Sequence, residues 1–278
     1  MLWPSPVTVY AGIRQIATRN ATAVAGLVRY GTDHQVDVHA VELDVTCQDS
    51  ADAAVDRIFA ERGRLDVVVH NAGHMVLGAA EAFTAKQLAD LYDVNVLGTQ
   101  RVNRAALPKS REQGSGLLVW IGSSSTRGGC PPFLAPYFAA KAAMDALAVS
   151  YAAEVLPFGI DTAIVVPGAF TTGTNHFANA GAPADRDGAE AYDQRHQPVM
   201  DDLGKRLAAL IPPDADVTEA AEAVVRLVAM PHGTPPLRTH VDPSRDGSEV
   251  VSAVADRGRA DFFRRIGLDS LLTAGSSL

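Results

Sequence analysis

Apolar runs of strand length alternate along the chain with amphipathic stretches of helix length. Strands are predicted at residues 7–13, 36–45, 65–70, 117–122, 162–166 and 237–241. Several, such as Asp66-Val67-Val68-Val69 and Ala163-Ile164-Val165-Val166, are apolar on both faces, as strands buried in a parallel sheet are. Helical spacing covers residues 16–30, 50–62, 85–111, 137–156 and 217–230. Asp49 or Ser50 can cap the second helix, and Pro157-Phe158-Gly159 stops the fourth. The alternation predicts a three-layer α/β arrangement, a doubly wound parallel sheet with helices on both faces.

Two segments break the pattern. Residues 171–198, rich in Gly, Ala, Asp and Asn, read as a mobile flap with small helices over a pocket. Residues 243–278 read as a helical tail with an amphipathic helix at 249–268. With no repeat and no composition boundary, residues 1–278 are expected to form a single domain.

Composition narrows the function. Hydrophobic residues make up 47% of the 278 positions, enough for a substantial core. The net charge of −8 argues against nucleic acid or an anionic membrane as partner. Only Cys47 and Cys130 are present, without a disulfide framework, and the N-terminus lacks the basic and apolar regions of a signal peptide; a cytoplasmic location is expected. A phosphate-binding P-loop, the HExxH zinc motif and the GxSxG nucleophile elbow are absent, and the eight histidines, in no ligand spacing, read as surface or packing residues. No metal is expected, and a hydrolase is disfavoured.

Tyr137 and Lys141 lie four apart at the start of an Ala-rich helical stretch, so both face the same way. A phenol titrates near 10, and bringing it to neutrality takes about 4 kcal/mol. An ammonium at about 4 Å supplies that order of energy at an effective dielectric of about 20. The pair therefore reads as an acid–base group with its activator. Ser123-Ser124-Ser125 end a strand just upstream, where a hydroxyl can polarise a substrate carbonyl.

In this order and spacing, the chain resembles the short-chain dehydrogenase/reductase family from about Val7 to Val241. Leu43-Asp44-Val45 stands where that family contacts adenine. His70-Asn71-Ala72-Gly73 resembles its NNAG turn, with His70 replacing the first Asn. Asn95 matches the asparagine that orders a proton-relay water. Tyr137 and Lys141 match YxxxK, and Pro167-Gly168-Ala169-Phe170-Thr171-Thr172 matches the segment that holds the nicotinamide amide. The resemblance implies a Rossmann-like fold and hydride transfer between a nicotinamide dinucleotide and a small-molecule carbonyl or secondary alcohol. Tyr137 would be the acid–base, Lys141 its activator and a ribose ligand, Asn95 the relay and Ser123 the carbonyl ligand, with Ser124 the alternative on spacing. Cofactor contacts would come from Arg14, Asp44, Val45, Asn71, Ala72, Gly73, Tyr137, Lys141, Pro167, Gly168, Phe170 and Thr172. Arg14, directly after the first strand, suits the 2′-phosphate of NADP better than NAD. The helices at 85–111 and 137–156 resemble those that pair in the family's dimers and tetramers, so a homo-oligomer is expected.

One element is missing. The family's first strand, glycine-rich TGxxxGxG turn and first helix have no counterpart, since six residues precede Val7. That turn cradles the cofactor's diphosphate, and the absent strand is central in its sheet, so the strands beside it should expose apolar edges. The expectation is that Met1 is not the natural start and that an upstream extension carries the turn. The alternative is a non-catalytic Rossmann-like remnant or binding protein with weakened cofactor affinity. Nothing in the flap's composition selects a substrate.

Overall fold

The computed structural model describes residues 7–170, 173, 174 and 176–272, without the side chains of Met200 and Asp201. Six strands form, all in parallel pairings: β1 (Val9–Ile13), β2 (Val38–Glu42), β3 (Val67–His70), β4 (Gly116–Ile121), β5 (Ile160–Pro167) and β6 (Arg238–Val241). The helices between them are α1 (Ala21–His34), α2 (Gln48–Arg62), α3 (Ala85–Tyr92), α4 (Gly98–Gln113), α5 (Ala135–Val155), α6 (Arg186–Ala208), α7 (Thr218–Val228) and α8 (Ser248–Arg265).

Strand β5 is buried along seven of its eight residues, which is why its Ala163-Ile164-Val165-Val166 run is apolar on both faces. Alternation assigns its side chains and those of β4 to opposite layers. Leu118, Trp120, Ile160 and Ile164 pack on Met144 and Ala148 of α5. Leu117, Val119, Ala163 and Val165 pack on Ala223 and Leu227 of α7. A third cluster joins α2 to α4 through Ala51, Val55, Ala105 and Ala106.

The sheet is in two pieces. Strands β1 and β2 pair with each other, whereas β3, β4, β5 and β6 form a separate sheet in that order. The break falls between β1 and β3, where the resemblance places the missing central strand. Apolar side chains are exposed at both rims, Val9 at 49% and Val69 at 43%. Helix α1 contains no buried residue. A helix and two strands with so little core behind them hold to the rest largely through α2 against α4.

Several boundaries differ from the sequence reading. The helix expected at 85–111 is interrupted by a π turn at Asp93–Leu97, which opens the backbone and carries Asn95 inward. Helix α6 begins inside the expected flap and runs for 23 residues, through Pro198; the polar composition hid it because its exposed faces need few apolar positions. Helix α2 starts at Cys47 without a side-chain cap, and the Ser50 hydroxyl instead accepts from Asp44 N–H (2.9 Å). The stop at Pro157-Phe158-Gly159 is as expected, with Gly159 left-handed (φ 74°).

The acidic Asp145 of α5 is buried between two guanidinium groups. It accepts from Arg127 (2.9 Å) and from both terminal nitrogens of Arg238, whose Nε donates to Asp256 of α8 (3.0 Å). A buried carboxylate tolerates its desolvation only with such partners. The network joins the segment after β4, α5, β6 and α8.

His70, at the end of β3, is buried against Trp120 and hydrogen-bonded to Asn103 Oδ1 (2.8 Å). Burial pushes its imidazole down to about 4. Above pH 6.5 the ring is neutral whether folded or not. As pH falls from 6.5 to 4, the unfolded chain takes up a proton that the folded chain refuses, so stability falls by about 3 kcal/mol in all. Urea midpoints measured from pH 7 to pH 4 should show this decline in the wild type and a distinctly shallower one in His70→Asn.

Candidate active site

The helical face of α5 sets the site. Tyr137, Lys141 and Asp145 recur every four residues on one stripe, and all three are buried. Asp145 fixes the stripe from below through its arginines. Lys141 Nζ donates to Ile121 O, the last carbonyl of β4 (2.9 Å). That bond ties the helix to the strand end from which the serine segment departs.

Ser123 follows two residues later. Its hydroxyl faces Tyr137, where it acts against the rise that burial imposes on the phenol, and lies 2.7 Å from Ser125 Oγ. Ser124 is buried and turned toward the Asp246 carboxylate. Of the two serines left open by spacing, Ser123 therefore stands beside the tyrosine.

Asn95 is fully buried in the π turn. Its Nδ2 donates to Leu91 O (3.0 Å) and to His74 O (3.2 Å), while its Oδ1 meets no donor among the described residues. A Cβ on Gly73 would lie 2.5 Å from that Oδ1 and 3.9 Å from Lys141 Nζ. Only a glycine lets the turn after β3 pass this close to both side chains.

The direction of the tyrosine's titration differs from the sequence reading. Burial outweighs the bond to Ser123 and pushes Tyr137 up to about 12, and the Lys141 charge does not offset it. Burial also pushes Lys141 down to about 8. Both shifts favour the neutral form, because each group is desolvated and Lys141 faces a carbonyl rather than a carboxylate.

The other expected contacts lie around this centre. Asn71, Ala72 and Gly73 are exposed on the rim of the sheet break. Gly168 N–H donates to Val241 O (2.9 Å), fixing the Pro167–Gly168 turn at the end of β5. The ring of Phe170 is packed in the core with Val165 and Leu227, so only its main chain is free for a ligand. Thr172 lies outside the described residues. At the other end, the Asp44 carboxyl is held below the usual carboxylate range by Thr46, whose hydroxyl (2.7 Å) and N–H (2.9 Å) donate to it, with Arg14 adding a smaller effect. Val45 O accepts from Arg101 (3.0 Å), and Arg14 is exposed.

One histidine read from sequence as a surface or packing residue also reaches the site. His176 lays its ring edge-on to Tyr137, with centroids 5.8 Å apart. Spacing could not reveal it, since it comes to Tyr137 from the segment after β5.

A family model described as short chain dehydrogenase matches residues 8–183. The chain belongs to the short-chain dehydrogenases. It is 36% identical over 157 residues to human 17-beta-hydroxysteroid dehydrogenase type 1, covering 56% of this chain and 46% of the relative. It is 32% identical over 159 residues to 3-ketodihydrosphingosine reductase of Bacteroides thetaiotaomicron, covering 57% and 59%. The chain thus spans about half the length of these curated relatives. Among solved structures, a short-chain dehydrogenase from Streptomyces avermitilis superimposes with a TM-score of 0.67 at 26% identity, covering 94% of this chain and 98% of that one. A gluconate 5-dehydrogenase from Burkholderia cenocepacia, solved with NADP and tartrate, shares the fold at 22% identity and a TM-score of 0.66, covering 85% and 84%. This short-chain dehydrogenase is accordingly a member of an oxidoreductase family with a three-layer Rossmann-like fold. Among its described residues no helix is long and apolar enough to cross a membrane, and no cluster of metal-ligating side chains is found.

The depressed Lys141 has a measurable sign. Between pH 8 and 10.5 the unfolded chain still holds a proton on this lysine that the folded chain has released, so stability rises with pH across that window. Lys141→Met should lack this rise, as read from urea midpoints at pH 8 and pH 10.

Proposed function

We propose that this chain interconverts a small-molecule carbonyl and its alcohol with a nicotinamide dinucleotide, NADP in preference to NAD. The observation that carries this reading is the convergence of Ser123, Tyr137, Lys141 and the unpaired Oδ1 of Asn95 in one buried cluster. A dinucleotide's nicotinamide half fits the donors and acceptors here. Lys141 and the exposed Asn71–Gly73 turn suit the ribose, and the Pro167–Gly168 turn suits the amide. Arg14 and Asp44 suit the adenosine half, with Arg14 favouring a 2′-phosphate. When bound, the dinucleotide supplies or accepts the hydride.

The protein's own part is proton management. In the reducing direction a neutral phenol is the form required, and burial keeps Tyr137 neutral well above pH 7. The Ser123 hydroxyl orients the carbonyl oxygen toward that phenol. As Tyr137 gives up its proton, the Lys141 ammonium, charged at pH 7, stabilises the phenolate. Asn95 Oδ1 offers the acceptor through which the proton is replaced. We further propose a single catalytic unit over residues 1–278, a cytoplasmic location and a homo-oligomer paired through α4 and α5.

The break between β1 and β3 favours a second reading, a Rossmann-like binding protein with weakened dinucleotide affinity. Among the described residues no glycine-rich turn stands there to hold a diphosphate, and without two or three such charge-assisted bonds affinity is lower by roughly 10²- to 10⁶-fold.

Titration with NADPH and NADH followed by a carbonyl panel separates the two. Tyr137→Phe should lower turnover by at least about a hundredfold, in line with loss of a general acid, while leaving the thermal midpoint near that of the wild type. Near-normal turnover in this variant rejects the tyrosine as acid–base. Arg14→Ser should weaken NADPH far more than NADH; equal weakening removes the 2′-phosphate assignment.

A further inference from the structure

Ser125, two residues past the candidate carbonyl ligand, has no part in the chemistry proposed above. Its side chain is buried, and the partner of its hydroxyl among the described residues is Ser123 Oγ, 2.7 Å away. Its N–H donates to the same oxygen (3.3 Å). The backbone sets up this meeting. Ser123 is extended (φ −162°, ψ 143°) and caps the single turn Ser124–Thr126. The Ser123 carbonyl accepts from both the N–H (3.2 Å) and the hydroxyl (3.0 Å) of Thr126, and the Ser125 carbonyl accepts from the Cys130 thiol (3.5 Å). The two serine hydroxyls thus face each other across a turn that is closed by its own bonds.

A hydroxyl has one proton and two lone pairs. For Ser123 to donate to a carbonyl oxygen, its proton must not be given elsewhere. The Ser125 N–H takes up one lone pair of Ser123 Oγ. Of the two ways the hydroxyls can share a proton, only donation by Ser125 fills the second lone pair and leaves the Ser123 proton for the substrate. Donation in the other sense uses that proton up, and it leaves a lone pair that draws the Tyr137 proton away from the carbonyl. We propose that Ser125 is a positioning residue that donates to Ser123 Oγ and so directs the Ser123 proton onto the substrate carbonyl. The proposal rests on the carbonyl reading above and deepens it. Negative charge grows on the carbonyl oxygen as the hydride arrives, so both bonds of the Ser125–Ser123–carbonyl chain strengthen at that moment. The effect therefore falls on kcat rather than on KM.

The test is a double-mutant cycle in the full chain, on a carbonyl that the wild type reduces with NADPH. Ser125→Ala should lower kcat about tenfold, the order expected for one hydrogen bond, with KM within about twofold of the wild type. In a Ser123→Ala background the same substitution should change kcat by less than about twofold, because Ser125 then has no hydroxyl to direct. A purely structural role in the turn moves both backgrounds alike. Ser125→Thr, which keeps the hydroxyl, should recover most of the loss. Ser125→Cys, a weaker donor of similar shape, takes the place of the alanine should that variant fail to fold. Equal losses in the two backgrounds, a change confined to KM, or a wild-type rate in Ser125→Ala overturns the proposal and leaves the carbonyl reading standing. A wild type that binds NADPH yet reduces no carbonyl overturns the carbonyl reading, and the proposal with it.

Discussion

A single bond, from the buried Lys141 ammonium to the last carbonyl of β4, holds the site in register. It joins the helix bearing Tyr137 to the strand end that delivers Ser123, so the two hydroxyls meet without either lying on a flexible arm. The arrangement is costly, because the lysine is desolvated against a neutral acceptor and titrates near 8. In the function proposed above, an ammonium facing a carbonyl rather than a carboxylate keeps its charge free to respond to a charge forming on the phenol. Gly73 contributes to the same economy of space, since the turn after β3 must pass between Asn95 and Lys141 with no side chain of its own.

The site and the sheet around it are unevenly supported. On the α5 side, β4 and β5 are buried on both faces, and the candidate residues rest on that packing. On the other side the sheet stops at β3, and β1 and β2 stand apart with an unburied α1. Arg14 and Asp44, the residues suited to the adenosine half, belong to this less supported part. The half of the candidate site proposed to handle the proton thus rests on a dense core, whereas the half proposed to grip the far end of a dinucleotide does not.

Much of this was legible in the chain. Doubly apolar strands announced a parallel sheet, because side chains on both faces had to be buried, and the Tyr137–Lys141 spacing marked a shared helical face whatever the tertiary context. The exposed strand edges expected beside Val7–Ile13 and Leu65–His70 correspond to a division of the sheet between β1 and β3 among the described residues. What escaped the reading depends on contacts distant in sequence. The rise of Tyr137 comes from burial, which local spacing does not encode. The approach of His176 to Tyr137 depends on how the segment after β5 folds back, and α6 was masked by a polar composition suited to an exposed helix. That Ser124 faces Asp246, more than a hundred residues downstream, likewise lies outside what spacing encodes.

The arginine–aspartate network below the tyrosine has a reach that its position in the core conceals. Asp145 sits two turns along the same stripe as Tyr137, and its partner Arg238 is in turn neutralised by Asp256 of the last helix. The C-terminal helix is therefore tied by charge to the helix that carries Tyr137: clipping the chain after β6 would leave an enclosed guanidinium short of one counter-ion and loosen the seat of α5.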